Sequence, residues 1–238
     1  MCSRLVMNKI QKLEQIKILD NIAPKTKEKI LQIGNFQKVS KGTLLIRPHE
    51  PVTSIFFQLT GKSIIYNITH SGKRKILFIF GTGELLNEHV LNNCSTSMYC
   101  ETIDESIVLS IPVTEFIKLM AEDFELTKSI LESQEKKMWR LSHQLKNTTS
   151  CIYLERKLAA KLWKLSRDFG IEKEDGIEID VNLTVTFLAD MLGVPRETTS
   201  RACSALVENG LIKVNKKRIT IVDSKKMSQF FKTGKIEQ

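Results

Sequence analysis

The spacing of apolar residues divides the chain into three textures. Up to about Lys38, the positions Ile10, Leu13, Ile16 and Leu19, then Ile22, Ile30 and Leu31, recur at loose helical spacing. Pro24 is placed to open a second short helix. From Phe36, short runs of Ile, Val and Phe alternate with turn signals: Lys41-Gly42, Arg47-Pro48, Thr60-Gly61-Lys62, His70-Ser71-Gly72-Lys73 and Gly81-Thr82-Gly83. Such spacing predicts a β-sandwich, roll or barrel. Ser71-Gly72 between residues 64–68 and 76–80 predicts a hairpin, and residues 106–111 a closing strand. After Pro112 the pattern returns to helix. Leu131, Gln134, Met138, Leu141 and Leu145 follow the 3-4-3-4 spacing of a coiled-coil seam, inside a predicted helix over 124–147. A helix of this length pairs with its own copy or packs along the β-domain of its own chain; the seam favours a homodimer, with Gln134 as a polar, register-setting position. Residues 153–169 predict a further amphipathic helix through Leu154, Leu158, Leu162 and Leu165, and 176–180 a short strand.

Residues 184–206, TVTFLADMLGVPRETTSRACSAL, carry the most specific chemistry. Phe187, Leu188 and Leu192 recur at helical spacing, Gly193 interrupts them, and a second stripe begins at Arg196 after Pro195. Two short helices around a tight glycine turn predict a helix-turn-helix. The second helix opens with Arg196-Glu197-Thr198-Thr199-Ser200-Arg201. Its side chains suit the major groove: Arg to guanine, a carboxylate to cytosine, hydroxyls to bases or phosphate. Arg196 is ill placed at a helix start unless an anion is near. Residues 210–214 and 219–222 around Asn215-Lys216-Lys217-Arg218 predict a wing with a basic tip, where Lys216, Lys217 and Arg218 suit phosphate.

Composition adds bounds. The 238 residues are 42% hydrophobic and 26% charged, with net charge +9, room for two domains and a bias toward polyanions. No apolar run approaches the ~20 residues a membrane span needs, and the first residues lack a signal core, so a cytoplasmic protein without membrane contact is expected. Cys2, Cys94, Cys100, Cys151 and Cys203 are widely spaced without a CxxC pair, which indicates neither zinc nor a disulfide framework. Cys94 or Cys100 in a redox role is set against buried, inert thiols, and burial is the preferred reading.

The order of β-domain, long helix and winged helix resembles the cyclic AMP receptor / fumarate-nitrate regulator (CRP/FNR) family of bacterial transcription factors, over roughly residues 15–225. Gly193-x-x-Arg196-Glu197-Thr198-x-x-Arg201 looks like that family's recognition helix. The resemblance implies an α+β chain: N-terminal helices and a cupin-like β-roll sensor domain over 1–115, a central dimerisation helix over 116–150, and a winged helix-turn-helix over 151–238. It assigns base reading to Arg196, Glu197 and Arg201, with Thr198 and Ser200 beside them, and a phosphate contact to Thr184. It implies a homodimer on double-stranded DNA, with RNA polymerase as a further candidate partner.

Nucleotide-binding members carry a Gly-Glu pair for the ribose and an Arg-Ser pair for the cyclic phosphate. Gly83-Glu84 fits the first, but Thr96-Ser97 stands in place of the second, and no Arg occurs between Arg74 and Arg140. A buried phosphodiester without a cation is poorly compensated, which argues against cyclic AMP and leaves an unidentified small-molecule effector. Only Cys2 lies near the N-terminus, which argues against an iron–sulfur cluster. Haem would need an axial ligand such as His89, His143, His49 or His70, yet a lone histidine is more often solvated or packed. Ser142 and His143 lie near where members place hydroxyls against an effector. Two rival readings remain: a same-fold regulator whose β-domain is a ligand-free scaffold, and a cupin-type metalloenzyme. The four histidines are dispersed without an HxH pair, so the chain is read as a non-enzyme with no metal site.

Overall fold

The computed structural model describes residues 10–91, 95–149 and 153–235. The expectations on Cys2, Cys94 and Cys151 lie outside the described residues. The chain divides into two compact units: residues up to Ile68 with Ile76–Ser142, and Thr69–Lys75 with His143 onward.

In the first unit, helix α1 (Pro24–Ile33) starts at Pro24, whose missing N–H costs nothing in a first turn. Strand β1 (Asn35–Val39) begins directly after Gly34, so the helical reading up to about Lys38 runs too far. Six further strands follow: β2 (Leu44–Ile46), β3 (Ser54–Thr60), β4 (Ser63–Ile68), β5 (Arg74–Phe80), β6 (Tyr99–Thr102) and β7 (Ser106–Pro112). They form two sheets, in the orders β1-β7-β3 and β2-β6-β4-β5. β7 is central in its sheet, pairing Leu109 with both Phe36 and Phe57, which explains its near-continuous apolar run. The predicted hairpin is β4–β5, closed by Thr69 N donating to Lys73 O at 2.9 Å.

β3 separates two apolar clusters by alternation. Ile55, Phe57 and Leu59 face one, with Ile16, Ile30, Leu109 and Phe116. Phe56 borders the other, inside the roll, which holds Ile65, Phe78, Phe80, Leu86 and Cys100. Helices α2 (Val113–Glu122) and α3 (Phe124–Thr149) meet at Asp123. Its buried carboxylate accepts from Glu125 N at 3.1 Å and Leu126 N at 3.3 Å at the head of α3. It also accepts from Ala23 N at 2.8 Å and Thr26 Oγ1 at 2.7 Å at the head of α1. One side chain thus caps two helices.

α3 is anchored by Leu126 and Ile130, both buried; together they contribute about 3–6 kcal/mol. Beyond Ile130 none of its described residues is buried. Leu131, Met138 and Leu145 are each more than half exposed, seven residues apart on one face. Gln134 corrects the seam reading: its Nε2 donates to Glu88 O at 3.2 Å and Asn87 O at 3.4 Å, so it faces its own β-roll rather than setting register with a copy.

The second unit opens with α4 (Leu154–Phe169), whose Leu158, Leu162 and Leu165 form the buried stripe. The predicted strand is one of a pair, β8 (Gly170–Lys173) and β9 (Gly176–Ile179). Helices α5 (Val185–Leu192) and α6 (Arg196–Glu208) precede β10 (Ile212–Asn215) and β11 (Arg218–Ile221). β11 pairs with both β10 and β9, making a four-stranded sheet, β10-β11-β9-β8. A last helix, α7 (Ser224–Thr233), was not anticipated. Asp223 caps it through Lys225 N and Lys226 N, and Gly234 ends it at φ 77°. It docks on α4 through Met227, Phe230 and the Phe231 ring, 5.4 Å from Trp163.

Candidate nucleic-acid interface and effector site

Thr184 is the N-cap of α5: its Oγ1 accepts from Phe187 N at 3.1 Å, and its O–H is left as a donor. Gly193 ends α5 at φ 74°, ψ 32°, the left-handed conformation a side chain disfavours. The turn is thereby tight enough for α6 to begin at Arg196. Pro195 occupies the N-cap and supplies no side-chain cap. The amide end of α6 is therefore not covered by its own cap residue, and Arg196 stands beside it.

The buried face of α6 is Thr199, Ala202 and Leu206, with the Thr199 hydroxyl donating to Pro195 O at 3.1 Å. Arg196, Glu197, Ser200 and Arg201 are exposed together, and Thr198 is half-buried at their margin. Helical spacing of three and four residues places Glu197 with Ser200 and Arg201 on one face, and Arg196 with Ser200. Cys203 is half-buried on α6, and burial raises its thiol pKa.

At the wing tip Asn215 pairs with Arg218, leaving Lys216-Lys217 as the connecting turn. Both lysines are exposed, and Lys216 sits at φ 55°. Lys217 O accepts from Leu183 N at 2.8 Å, which ties the tip to the start of the helix-turn-helix. Arg218 differs from its neighbours: its Nη1 lies 2.6 Å from Asp180 Oδ1 and holds β11 to its own domain.

The expected effector residues of the β-roll divide. Gly83, at φ 85°, is buried; a Cβ there would lie 2.4 Å from Gln15 O, so the Gly-Glu turn is required by packing. Glu84 Oε2 accepts from Gly81 N at 2.8 Å, and its Oε1 lies 3.6 Å from Arg140 Nη1 on α3. Thr96 is buried, and its hydroxyl donates to Glu88 Oε2 at 2.6 Å rather than to Glu84. Ser97 is exposed. Ser142 is exposed and its hydroxyl donates to Met138 O at 3.0 Å within its own helix; His143 is exposed. His49 and His70 are exposed, and His89 Nε2 lies 3.8 Å from Glu88 Oε2. Among the described residues no three His, Cys, Asp or Glu gather as a metal site. Cys100 is fully buried, and burial pushes its thiol up to about 12.

Two cations reach the β-roll from α3 rather than from the loop before β6. Lys137 Nζ donates to Asn87 O at 2.8 Å and lies 5.3 Å from the Phe80 ring centroid. The Arg140 guanidinium lies 5.0 Å from the Phe78 ring centroid. Their signal was the three-residue spacing Gln134, Lys137, Arg140, a polar row beside the apolar seam.

The Crp-like helix-turn-helix domain matches residues 156–230 and the cyclic nucleotide-binding domain residues 36–123. The probable transcriptional regulator flp of Lacticaseibacillus casei is 26% identical, covering 90% of this chain and 95% of its own. The global nitrogen regulator of Synechococcus elongatus is 27% identical, covering 84% of this chain and 90% of its own. In fold, the chain is similar to a mutant of CooA from Carboxydothermus hydrogenoformans, with TM-score 0.72, 19% identity, and 91% and 99% of the two chains covered. FixK2 of Bradyrhizobium japonicum gives TM-score 0.72 at 17% identity over 83% and 96%. No helix among the described residues is long and apolar enough to cross a membrane. The two domain matches together span most of the chain, in the order β-domain then helix-turn-helix, and the chain belongs to the CRP/FNR family of transcription regulators.

Proposed function

We propose that this regulator acts as a homodimer that binds a pseudo-palindromic DNA operator sequence-specifically. The exposed cluster of Arg196, Glu197, Ser200 and Arg201 on α6 carries this reading. Arg196 and Arg201 read guanine edges, Glu197 accepts from cytosine, and Ser200 and Thr198 supply hydroxyl contacts. The Thr184 hydroxyl, Lys216 and Lys217 hold phosphate, with Arg218 bracing the wing through Asp180. A lysine kept at a backbone conformation that favours glycine supports a role for the Lys216 charge. The exposed row Leu131, Met138 and Leu145 supports pairing of α3 with a second copy. Two copies would place their α6 helices about one turn of DNA, ~34 Å, apart.

The effector, on this reading, is not cyclic AMP. Thr96 stands where a phosphate-binding arginine is needed, and its hydroxyl is committed to Glu88. RNA polymerase is the partner a DNA-bound activator would engage.

An operator selected from random duplex DNA by the wild-type protein tests the reading. Arg196→Ala is expected to lose about 1–3 kcal/mol on that operator and to relax preference at one base position. Lys216→Ala is expected to weaken all duplexes alike and to shallow the salt dependence by about 0.9 in log–log slope. Wild-type operator binding by both variants would remove α6 and the wing as the reading surface.

A further inference from the structure

The second half of α3 meets its own β-roll in an unusual way. Leu126 and Ile130 anchor the first half in the apolar core, while past Ile130 no described residue is buried and Gln134, Lys137 and Arg140 reach the roll. The receptor is rigid. Asn87 is fully buried, its Oδ1 accepting from Phe56 N at 2.6 Å and its Nδ2 donating to Ser54 O at 2.9 Å. That fixes the Asn87 carbonyl, which accepts from both Gln134 and Lys137. Glu84, held by Gly81 N, faces Arg140, and the two cations lie over Phe80 and Phe78, whose rings stack 5.5 Å apart. Polar contacts with water as competitor are individually weak, so this half of the helix is held far less firmly than the first.

We propose that the Gln134–Lys137–Arg140 row is a releasable latch, which holds the second half of α3 on the β-roll and opens and closes with the charge on Lys137. It rests on the reading of α3 as the helix that pairs two copies of a DNA-binding regulator. It also means that Glu84 of the β-roll is answered by a cation of the chain's own α3.

The direction of the charge dependence follows from the surroundings. Facing Lys137 are Glu84 and Glu88 from the loop after β5, Cys100 from β6, and Arg140 from α3 itself. Burial pushes the Lys137 ammonium down to about 8, against the attraction of Glu84. A released, solvated lysine holds its proton to about 10.4. Docking therefore expels a proton, and the docked form gains about tenfold over the released form between about pH 7 and pH 9. A neutral amine still donates to Asn87 O, so deprotonation removes the cost of burying charge without removing the hydrogen bond.

The test is a 13C-lysine NMR titration of the full chain, with the Lys137 signal assigned by its loss in Lys137→Arg. Wild-type Lys137 is expected to titrate about two pH units below the bulk of the lysines. Glu84→Gln then separates a latch from a fixed side chain, since the two move in opposite directions. Its amide oxygen can still accept from Gly81 N, but Arg140 loses its anionic partner. Opening of the latch moves the Lys137 midpoint up toward the solvated value. A side chain that stays in place loses an attracting carboxylate and moves further down. A downward or absent shift overturns the latch, as does a wild-type Lys137 that titrates with the other lysines. Operator binding measured on the same samples keeps the two readings separable. A wild type that binds no operator while Glu84→Gln still gives the upward shift removes the DNA-reading proposal alone; operator binding by wild type without that shift removes the latch alone.

Discussion

Replacing Asp123 should uncouple α3 from the rest of the first unit, and the cost can be worked from its four hydrogen bonds. Asp123→Ala removes the caps on Glu125 N and Leu126 N and leaves Ala23 N and the Thr26 hydroxyl without their acceptor. A lost N-cap costs about 1–2 kcal/mol, and a hydrogen bond to a charged group about 1.5–3 kcal/mol before water replaces part of it. Two caps on one buried carboxylate put the total near 3–5 kcal/mol. With a urea m-value of about 2 kcal/mol/M the midpoint should fall by about 2 M. Trp139 lies in α3, so its fluorescence in a Trp163→Phe background follows the first unit. Asp123→Asn keeps one acceptor oxygen for the α3 cap but turns an amide donor toward Ala23 N, and should cost about half as much. The pH dependence separates charge from shape. Burial pushes the Asp123 carboxyl up, but its bonds to Thr26, Ala23, Leu126 and Glu125 outweigh this and hold it below the ordinary carboxylate range. Its contribution is thus complete above the unfolded value of about 3.9 and is lost as pH falls through the lower folded value. Wild type should lose stability over that acid range by more than Asp123→Asn does. Equal acid sensitivity in the two proteins would refute the argument.

Two further outcomes follow from the burial of single side chains. Met138→Asp places a carboxylate in the middle of the exposed α3 row; light scattering should find the mass of two chains for the wild type and of one for the variant, and an unchanged mass would remove α3 as the pairing surface. Cys100, with its thiol pushed up to about 12, should react with iodoacetamide at about pH 8 at least about a thousandfold more slowly than in the urea-unfolded chain; comparable labelling of its peptide in the native protein would contradict its burial.

What the sequence disclosed and what it hid divide along physical lines. The helix-turn-helix was legible because local rules coincide there: Thr184 caps, Gly193 takes the left-handed turn, and Arg196 opens the next helix. The β4–β5 hairpin was legible for the same reason, through Ser71-Gly72. β8 is not legible because Gly170-Ile171-Glu172-Lys173 is exposed at every position and carries little apolar signal; its pairing with β9 makes it a strand. Helix α7 was missed although its signal was present: Asp223 before Ser224, Met227 and Phe230 three apart, and Gly234 after the last turn. The split of the basic tip, Lys216 and Lys217 outward and Arg218 onto Asp180, could not be read, because Asp180 is distant in sequence and joins through β9.

The misassigned role of Gln134 carries the more general lesson. A heptad count treats a helix as having one interface, yet α3 has two neighbouring ones. Leu131, Met138 and Leu145 define an apolar line, while Gln134, Lys137 and Arg140 define a polar line turned toward the helix's own β-roll. In a 3.6-residue helix these lines lie side by side, and Gln134 belongs by count to the first and by contact to the second. A helix so divided can couple its two contacts. If the apolar line pairs with a second copy as proposed, a change that loosens the polar line would alter the rotation at which the two copies meet. Coupling of that kind needs no bound nucleotide, only a contact weak enough to be reversed, and charge over aromatic rings with a single fixed carbonyl meets that condition.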